Sequence, residues 1–271
     1  LSGPRSSAPR VGEALRALML AQCRQVDRAL NHARARHAGI HRARKGFRTL
    51  RAMLALRGKK AAAAASIDQR LRRLARSLSA LRDARVAAQT AETLAADSAP
   101  WLPAAQALRA ACEQSLATAL AADPQFAARR RQLARAREAI DALPWSKISA
   151  KTCSAALHRS RKRTGRSEAR ARRRRTLELL HAWRRRLRRQ RLQMDALAGL
   201  AKMSPAVPLP AHRHRDTRRL RRLSDALGHR QDLRLLRRHL ARIDPSRLRG
   251  PLRVPLRKAL AEADAALALR H

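Results

Sequence analysis

Two short stretches of this chain place a histidine at the head of regularly spaced cations. In "GIHRARKGFRTLRAMLALRG" (39–58) and "LHAWRRRLRRQRLQMDAL" (180–197) the basic residues recur three or four positions apart. This spacing places each set along one face of a helix. The first ladder is His41, Arg44, Lys45, Arg48 and Arg51, and the second ladder is His181, Arg184, Arg185, Arg188 and Arg191.

The residue types of the ladders indicate anion binding. A guanidinium presents a planar fork of N–H donors that matches phosphate oxygens, and a lysine adds a compact charge. At about 1.5 Å per residue, each ladder forms a row of cations about 15 Å long. Two rows facing each other would line a groove that a flexible polyanion could thread. His41 and His181 either donate to that ligand, neutral or protonated, or cap their helices.

The net charge also favours a polyanionic partner. The 271 residues include 63 Lys+Arg and 19 Asp+Glu, which gives a formal net charge of +44. A charge of this size makes the free protein repel itself. No acid is interleaved within either ladder, so we expect the ladder cations not to be neutralised from within their own helices.

The motifs of several enzyme classes are absent from the sequence. There is no G-x-x-x-x-G-K-[ST], H-E-x-x-H or G-x-S-x-G, and the ladders carry no acid that could hold a metal ion. We therefore predict a binding protein without catalysis, cofactor or metal. Three Trp and two Phe leave few platforms for stacking single-stranded bases. Nonspecific binding to the phosphates of DNA or RNA stays open as the alternative.

Cysteine usage and hydropathy favour a reducing compartment and argue against a membrane span. Cys23, Cys112 and Cys153 are far apart and include no C-x-x-C pair, so neither a disulfide framework nor a zinc site is predicted. No apolar run reaches about 18 residues. We expect a cytoplasmic protein, in which residues 1–10 are a disordered leader or an expression remnant.

The elements that carry the ladders are expected to be helices. The alanine content and the lack of alternating Val/Ile/Thr runs predict an all-α fold, and proline-bearing segments separate the helices. Short loops between long helices favour antiparallel bundles. The predicted helices span residues 11–37, 40–57, 66–96, 104–121, 125–141, 148–172, 175–199, 211–227, 230–243 and 256–269.

The order of the motifs indicates an internal duplication. The second ladder repeats the first 140 residues later, and each is followed by an acidic motif, at Asp83 and at Asp232. A duplicated pair of antiparallel helical bundles explains this order, with halves of about 11–143 and 144–271 that meet near Pro144. The two acids either cap helices and form intrahelical ion pairs, or hold neighbouring basic side chains in position.

With these motifs identified, the chain resembles the CHAD domain family, the conserved histidine α-helical domain. The resemblance rests on the two ladders, on the "RD" of Arg82 and Asp83, and on the later "LG…DL" pattern, and it covers about residues 11–269. It implies a stand-alone member, a single domain in which two four-helix-bundle-like halves surround a central basic channel that binds inorganic polyphosphate without catalysis. It also implies association with polyphosphate-containing granules in a bacterial cytoplasm.

The resemblance extends the predicted site beyond the ladders. The segment before the second ladder is usually rich in arginines around a glycine, here Gly165, and the late motif has Gln231 where the family usually has histidine. The additional polyphosphate-binding residues that it implies are Arg82, Arg163, Arg166, His229 and Arg230. Asp83 and Asp232 are the acids expected to support them.

Overall fold

The computed structural model describes residues 10–58, 62–174, 176–203, 214–244, 246 and 250–268. These residues form helices and connecting turns and contain no strand, which confirms the predicted all-α fold. The described α-helices are α1 (Val11–Asn31), α2 (Arg36–Leu54), α3 (Ala62–Ser77), α4 (Ser79–Asp97), α5 (Leu102–Ala122), α6 (Ala127–Asp141), α7 (Ala150–Arg174), α8 (Leu177–Met203), α9 (His214–Ile243) and α10 (Arg253–Ala268). None of them is long and apolar enough to cross a membrane.

Proline-bearing segments separate the helices where the sequence predicts breaks. Segments 97–103, 122–125 and 143–147 lie at the junctions of α4, α5, α6 and α7, and each junction contains a short 3-10 helix. Proline lacks the N–H that continues a helix, and it disfavours helical geometry in the preceding residue. The predicted break at 203–210 lies outside the described residues after Met203.

The predicted helix 66–96 is wrong, because the structure has two helices there. α3 and α4 meet at Leu78, whose backbone leaves the helical region at φ −100° and ψ 4°. Leu78 is fully buried, and neither proline nor glycine lies at this position. Packing of the leucine side chain accompanies the break, so the local sequence contained no signal for it.

The two helices predicted at 211–227 and 230–243 form the single helix α9 over the described residues. The predicted gap between them contains Gly228, but glycine within a helix is only about 1 kcal/mol less favourable than alanine. The first predicted helix is shorter than expected. It ends at Asn31, after which His32 Nδ1 accepts a hydrogen bond from the Ala35 backbone N–H at 3.2 Å.

The apolar sides of both ladders are buried in hydrophobic cores, as the helical spacing predicts. Phe47 and Leu50, behind the first ladder, belong to a core that includes residues of α1, α2, α3, α6 and α8. Trp183 and Leu187, behind the second ladder, pack with residues of α7 and α9. Full burial of such a side chain contributes about 1.5–3 kcal/mol to folding. These cores therefore fix the direction of each basic face.

The hydrophobic packing crosses the proposed boundary near residue 144. A second core around Trp101 joins α4 and α5, which precede this boundary, to Leu236 of α9 and to Leu252 and Leu256, which follow it. α2 also packs directly against α8. The stretches 11–143 and 144–271 thus share their cores, and the internal duplication stays a prediction.

Candidate functional site

The two ladders lie on neighbouring helices, and their central arginines approach one another. Arg48 of α2 is close enough to Arg184 and Arg188 of α8 for the positive charges to repel. Arg82 of α4 repels the same three residues. Four guanidinium groups from three helices therefore share one region. We call Arg48, Arg82, Arg184 and Arg188 the arginine cluster.

Burial destabilises the positive charges of Arg48, Arg184 and Arg188 in the free protein. Burial, followed by repulsion from Arg188 and Arg44, lowers the pKa of Arg48 to about 9. Burial and repulsion from Arg188 lower the pKa of Arg184 to about 9, and only 6% of the Arg184 surface is exposed. Arginine normally titrates above about 12, so both groups remain charged at neutral pH but unfavourably so. An anion at this position would relieve the repulsion.

α9 holds the second ladder through neutral acceptors. Arg184 Nε donates to the Ser224 carbonyl oxygen at 3.2 Å, and its Nη1 donates to Gln231 Oε1 at 2.5 Å. Arg188 Nε donates to Ser224 Oγ at 3.2 Å. Gly228 makes room for Arg184, because a Cβ at this glycine would lie 2.3 Å from Nη2. These hydrogen bonds hold the two guanidinium groups in position, and none of the acceptors is an acid that would neutralise their charge.

The residues of the first ladder differ in their partners. Arg44 Nη1 donates to the Ala75 carbonyl oxygen at 2.5 Å and to Ser79 Oγ at 2.6 Å, and burial lowers the Arg44 pKa. Among the described residues, Arg48 has no hydrogen-bonding or ion-pair partner. A partly buried charge without a partner is unfavourable unless a ligand provides one.

Asp83 and Asp232 both bind Arg82. Arg82 Nη1 donates to Asp83 Oδ1 at 3.0 Å, and Nη2 donates to Asp232 Oδ1 at 3.4 Å. Asp83 lies next to Arg82 on α4, whereas Asp232 lies on α9, so the second contact joins the two helices. Neither acid caps a helix: Asp83 forms an intrahelical ion pair with Arg82, and Asp232 holds the same arginine from a neighbouring helix.

Neither ladder histidine caps a helix, since α2 begins at Arg36 and α8 begins at Leu177. Burial, followed by repulsion from Arg48, lowers the pKa of His41. Burial and repulsion from Arg185 lower the pKa of His181, although its Nδ1–H donates to Gln231 Oε1 at 3.1 Å. Both histidines therefore favour the neutral form in the free protein.

The far ends of both ladders are neutralised by acids. Arg51 donates to Asp68 of α3 through Nε at 2.8 Å and Nη2 at 3.0 Å. Arg191 Nη1 donates at 3.2 Å to Asp195, which lies four residues further along α8. The expectation that no acid of the same helix neutralises a ladder is therefore wrong for Arg191. The unpaired charge is concentrated nearer the middle of the ladders.

The remaining predicted site residues lie outside the arginine cluster. Arg230 forms an ion pair with Asp264 of α10, with Nη2 and Oδ2 3.1 Å apart. The other residues of this remainder are all exposed: Lys45, Arg163, Arg166, Arg185 and His229. Because these side chains are exposed, they could contact a ligand around the arginine cluster, but no neighbouring group among the described residues holds them in a fixed position for it.

The sequence argument missed Arg189 and the α9 residues that hold Arg184. Burial lowers the pKa of Arg189, and repulsion from Arg51 and Arg163 acts in the same direction. Arg189 corresponds in the 140-residue repeat to Thr49 of the first ladder, so the repeat alone did not mark it. Gln231 was noted only as a departure from the family pattern, although it accepts a hydrogen bond from Arg184.

A cavity of about 430 Å³ opens at the head of the first ladder, between α2 and α4. Its polar lining includes His37, His41, Arg42, Arg82 and Arg85. The cavity thus reaches Arg82 of the arginine cluster and exposes further cations beside it. An anionic ligand of several linked groups has room to extend from the cluster into this space.

Comparisons with known proteins agree with this architecture. The family model of the CHAD domain matches residues 14–241, which contain both ladders. A solved structure with a similar fold is the crystal structure of the CHAD domain from the plant Ricinus communis, with TM-score 0.62 and 20% sequence identity. The match covers 97% of this chain and 89% of that chain. No curated protein sequence matches the chain. Because the family model covers most of its length, the chain belongs to the CHAD domain family.

Proposed function

We propose that this protein binds inorganic polyphosphate along the arginine cluster and the adjoining ladder residues, without catalysing a reaction. The observation that supports the proposal most strongly is the environment of the Arg48 guanidinium. Its guanidinium is repelled by Arg188 and Arg184 of the opposite ladder and has no partner of its own among the described residues. Membership of the CHAD domain family, which is associated with polyphosphate, supports the choice of ligand.

The spacing and depth of the cations favour a thin, repeating polyanion. Cations one helical turn apart lie about 5.4 Å from each other along the axis, so successive residues can contact nearby phosphates of one chain. Arg184 is buried and Arg48 is partly buried. A flexible single chain of phosphates can approach such groups, whereas the phosphates of a DNA duplex are held on a wide, stiff rod. Duplexes are therefore expected to contact mainly exposed arginines.

Phosphate would change the state of the groups around it. A bound polyanion favours the charged forms of Arg48 and Arg184 and raises the pKa of His41 and His181. The neutral histidines of the free protein would then become additional charged donors. The hydrogen bonds from α9 to Arg184 and Arg188 position the guanidiniums in advance, which lowers the entropy lost on binding.

A direct competition between ligands tests the proposal. Labelled long-chain polyphosphate is bound to the full chain at physiological salt, and unlabelled duplex DNA, single-stranded RNA or polyphosphate is added at equal phosphate concentration. We expect micromolar or tighter binding of polyphosphate that weakens with salt and that polyphosphate alone displaces efficiently. If DNA or RNA displaces the label as well as polyphosphate does, the protein is a nonspecific nucleic-acid-binding protein instead.

The proposal includes a location on polyphosphate-containing granules in a bacterial cytoplasm. A fluorescent fusion of the full chain is expected to concentrate on such granules and to become diffuse when cellular polyphosphate is depleted. The same fusion carrying Arg48→Gln and Arg184→Gln should stay diffuse at an equal expression level. If the fusion stays on granules after polyphosphate is depleted, and also when it carries both substitutions, another partner determines its location.

A further inference from the structure

Three side chains with metal-binding atoms meet between α2 and α5. His37 lies in the first turn of α2, and Cys112 and Glu113 are neighbours in the middle of α5. His37 Nε2 is 3.0 Å from Glu113 Oε1 and 3.8 Å from Cys112 Sγ. The three ligand atoms all lie within 4.8 Å of one another. We call these residues the ligand triad.

We propose that the ligand triad binds a divalent transition metal of the zinc class, with solvent in the fourth coordination position. In tetrahedral zinc sites the metal lies about 2.3 Å from sulfur and about 2.0–2.2 Å from nitrogen and oxygen. These bond lengths place sulfur and nitrogen about 3.6 Å apart, and nitrogen and oxygen about 3.4 Å apart. The observed separations of 3.8 Å and 3.0 Å differ from these values by only about 0.2 and 0.4 Å.

The chemistry of the donors selects the class of metal. One sulfur, one imidazole nitrogen and one carboxylate oxygen suit Zn²⁺ and its neighbours in the first transition row. Ca²⁺ and Mg²⁺ prefer sets composed of oxygen atoms. A thiolate and a carboxylate together balance the two charges of the metal. The Cys112 thiol releases its proton to solvent when it binds the metal, so the site changes from the single negative charge of Glu113 to neutral, and the net charge of the protein rises by about one.

The solvent exposure of the triad increases from Cys112 through His37 to Glu113. Cys112 is 1% exposed, whereas the side chains of His37 and Glu113 are 18% and 56% exposed. Glu113 therefore lies on the side from which a metal ion enters, and the sulfur is shielded from solvent. The sequence spacing did not indicate this site, because His37 and Cys112 are 75 positions apart.

The triad is separate from the groups proposed to bind polyphosphate, and the inference does not depend on that function. His37 also lines the cavity at the head of the first ladder. The two sites are thus neighbours, but metal binding can be measured without polyphosphate. Polyphosphate must in fact be absent from the experiment, because it chelates divalent metals itself.

The test uses the full chain without an affinity tag. The protein is loaded with Zn²⁺ or Co²⁺ and dialysed, and bound metal is measured by mass spectrometry. We expect one tightly bound metal per chain, and the Co²⁺ form should show a thiolate-to-cobalt charge-transfer band with the visible spectrum of a tetrahedral site. Absence of a stoichiometric metal, or a cobalt spectrum without the thiolate band, would overturn the proposal.

Variants assign the metal to the triad. Cys112→Ser should abolish the charge-transfer band, and His37→Gln and Glu113→Gln should each weaken zinc affinity by at least about tenfold. Glu113 is exposed, so its variant tests the site even if a change at buried Cys112 disturbs folding. His158→Gln, at an exposed histidine of α7, is the matched control and should bind zinc like the parent. Parent-like affinity in both His37→Gln and Glu113→Gln would exclude the triad.

Discussion

The guanidinium of Arg184 lies against Gly228 of α9, and a Cβ at position 228 would be 2.3 Å from Arg184 Nη2. Gly228 therefore determines where the Arg184 guanidinium can lie. Its lack of a side chain allows Arg184 to reach Gln231 and the Ser224 carbonyl oxygen. A substitution at Gly228 would move the Arg184 guanidinium without removing its charge. The importance of its position can therefore be tested separately from the importance of its charge.

Gly228→Ala is expected to weaken polyphosphate binding severalfold without unfolding the protein. The new methyl group displaces the flexible end of Arg184, while alanine favours the helix by up to about 1 kcal/mol. Titration of labelled polyphosphate and thermal unfolding measure the two effects. Gly199→Ala on α8 is the matched control, because its Cβ would meet Leu18 at an ordinary 3.6 Å. Equal affinities for the two variants would show that the position of Arg184 is unimportant.

Replacing four arginines at the site should affect binding far more than replacing four exposed arginines. The site variant changes Arg44, Arg48, Arg184 and Arg188 to glutamine, and the control changes Arg170, Arg172, Arg173 and Arg174 of α7. Each charge-assisted hydrogen bond contributes about 1.5–3 kcal/mol, so the site variant should lose polyphosphate binding in a fluorescence polarisation assay. The control removes the same charge and should retain most of the affinity. Comparable losses would mean that bulk charge alone attracts the ligand.

Arg48→Met and Arg51→Met are expected to change the stability of the free protein in opposite directions. Arg48 has no partner among the described residues, so a methionine should raise the free energy of unfolding by about 1 kcal/mol or more. Arg51 forms a bidentate ion pair with Asp68, and its loss should lower the free energy of unfolding by up to about 1 kcal/mol. Denaturant unfolding without ligand measures both. A destabilised Arg48→Met protein would contradict the stated cost of the buried charge.

Polyphosphate binding is expected to strengthen as the pH falls from about 7.5 towards 6. Burial first, and then neighbouring arginines, lower the pKa of His41 and His181 below 6.5 in the free protein, and a polyanion raises them. Binding therefore takes up protons, and affinity rises by up to about tenfold for each pKa unit gained per histidine. Calorimetry in buffers of different ionisation enthalpy counts the protons. The double variant His41→Gln, His181→Gln should lose this proton uptake. An unchanged uptake would show that groups other than these two histidines take up the protons.

Without ligand, the same histidines should make the protein less stable in mild acid. Their folded pKa lies below the unfolded value of about 6.5, so the unfolded chain binds more protons below that pH. The stability contribution of the neutral histidines is complete above pH 6.5 and is lost as the pH falls below it. Denaturant midpoints at pH 7.5 and 5.5 should differ more for the parent than for the double variant. An equal difference in both proteins would contradict this linkage.

The helical ladders were predictable because their signal is local. Ala43, Phe47 and Leu50 recur on the side opposite the cations, and all three are buried. The periodicity of one segment is enough to predict which face is apolar. The same local argument succeeded for Trp183 and Leu187, which are buried behind the second ladder.

Features that depend on distant residues were not predictable in this way. The break at Leu78 coincides with burial against other helices and contains no proline or glycine. The contribution of Ser224 and Gln231 depends on how α9 lies against α8, which no single segment encodes. The packing of α4 and α5 with α9 and α10 likewise joins residues on both sides of position 144. Here the arrangement of helices, not their local spacing, determines the site.

The contact between Arg82 and Asp232 has a consequence for biosynthesis. The two residues are 150 positions apart, and the core around Trp101 also needs residues from α9 and beyond. A growing chain cannot close these contacts until α9 has left the ribosome, and contacts so distant in sequence slow folding. The first ladder is therefore translated well before its opposing arginines can join it. A nascent chain would expose the basic face of α2 before the contacts from α9 that position Arg184 can form.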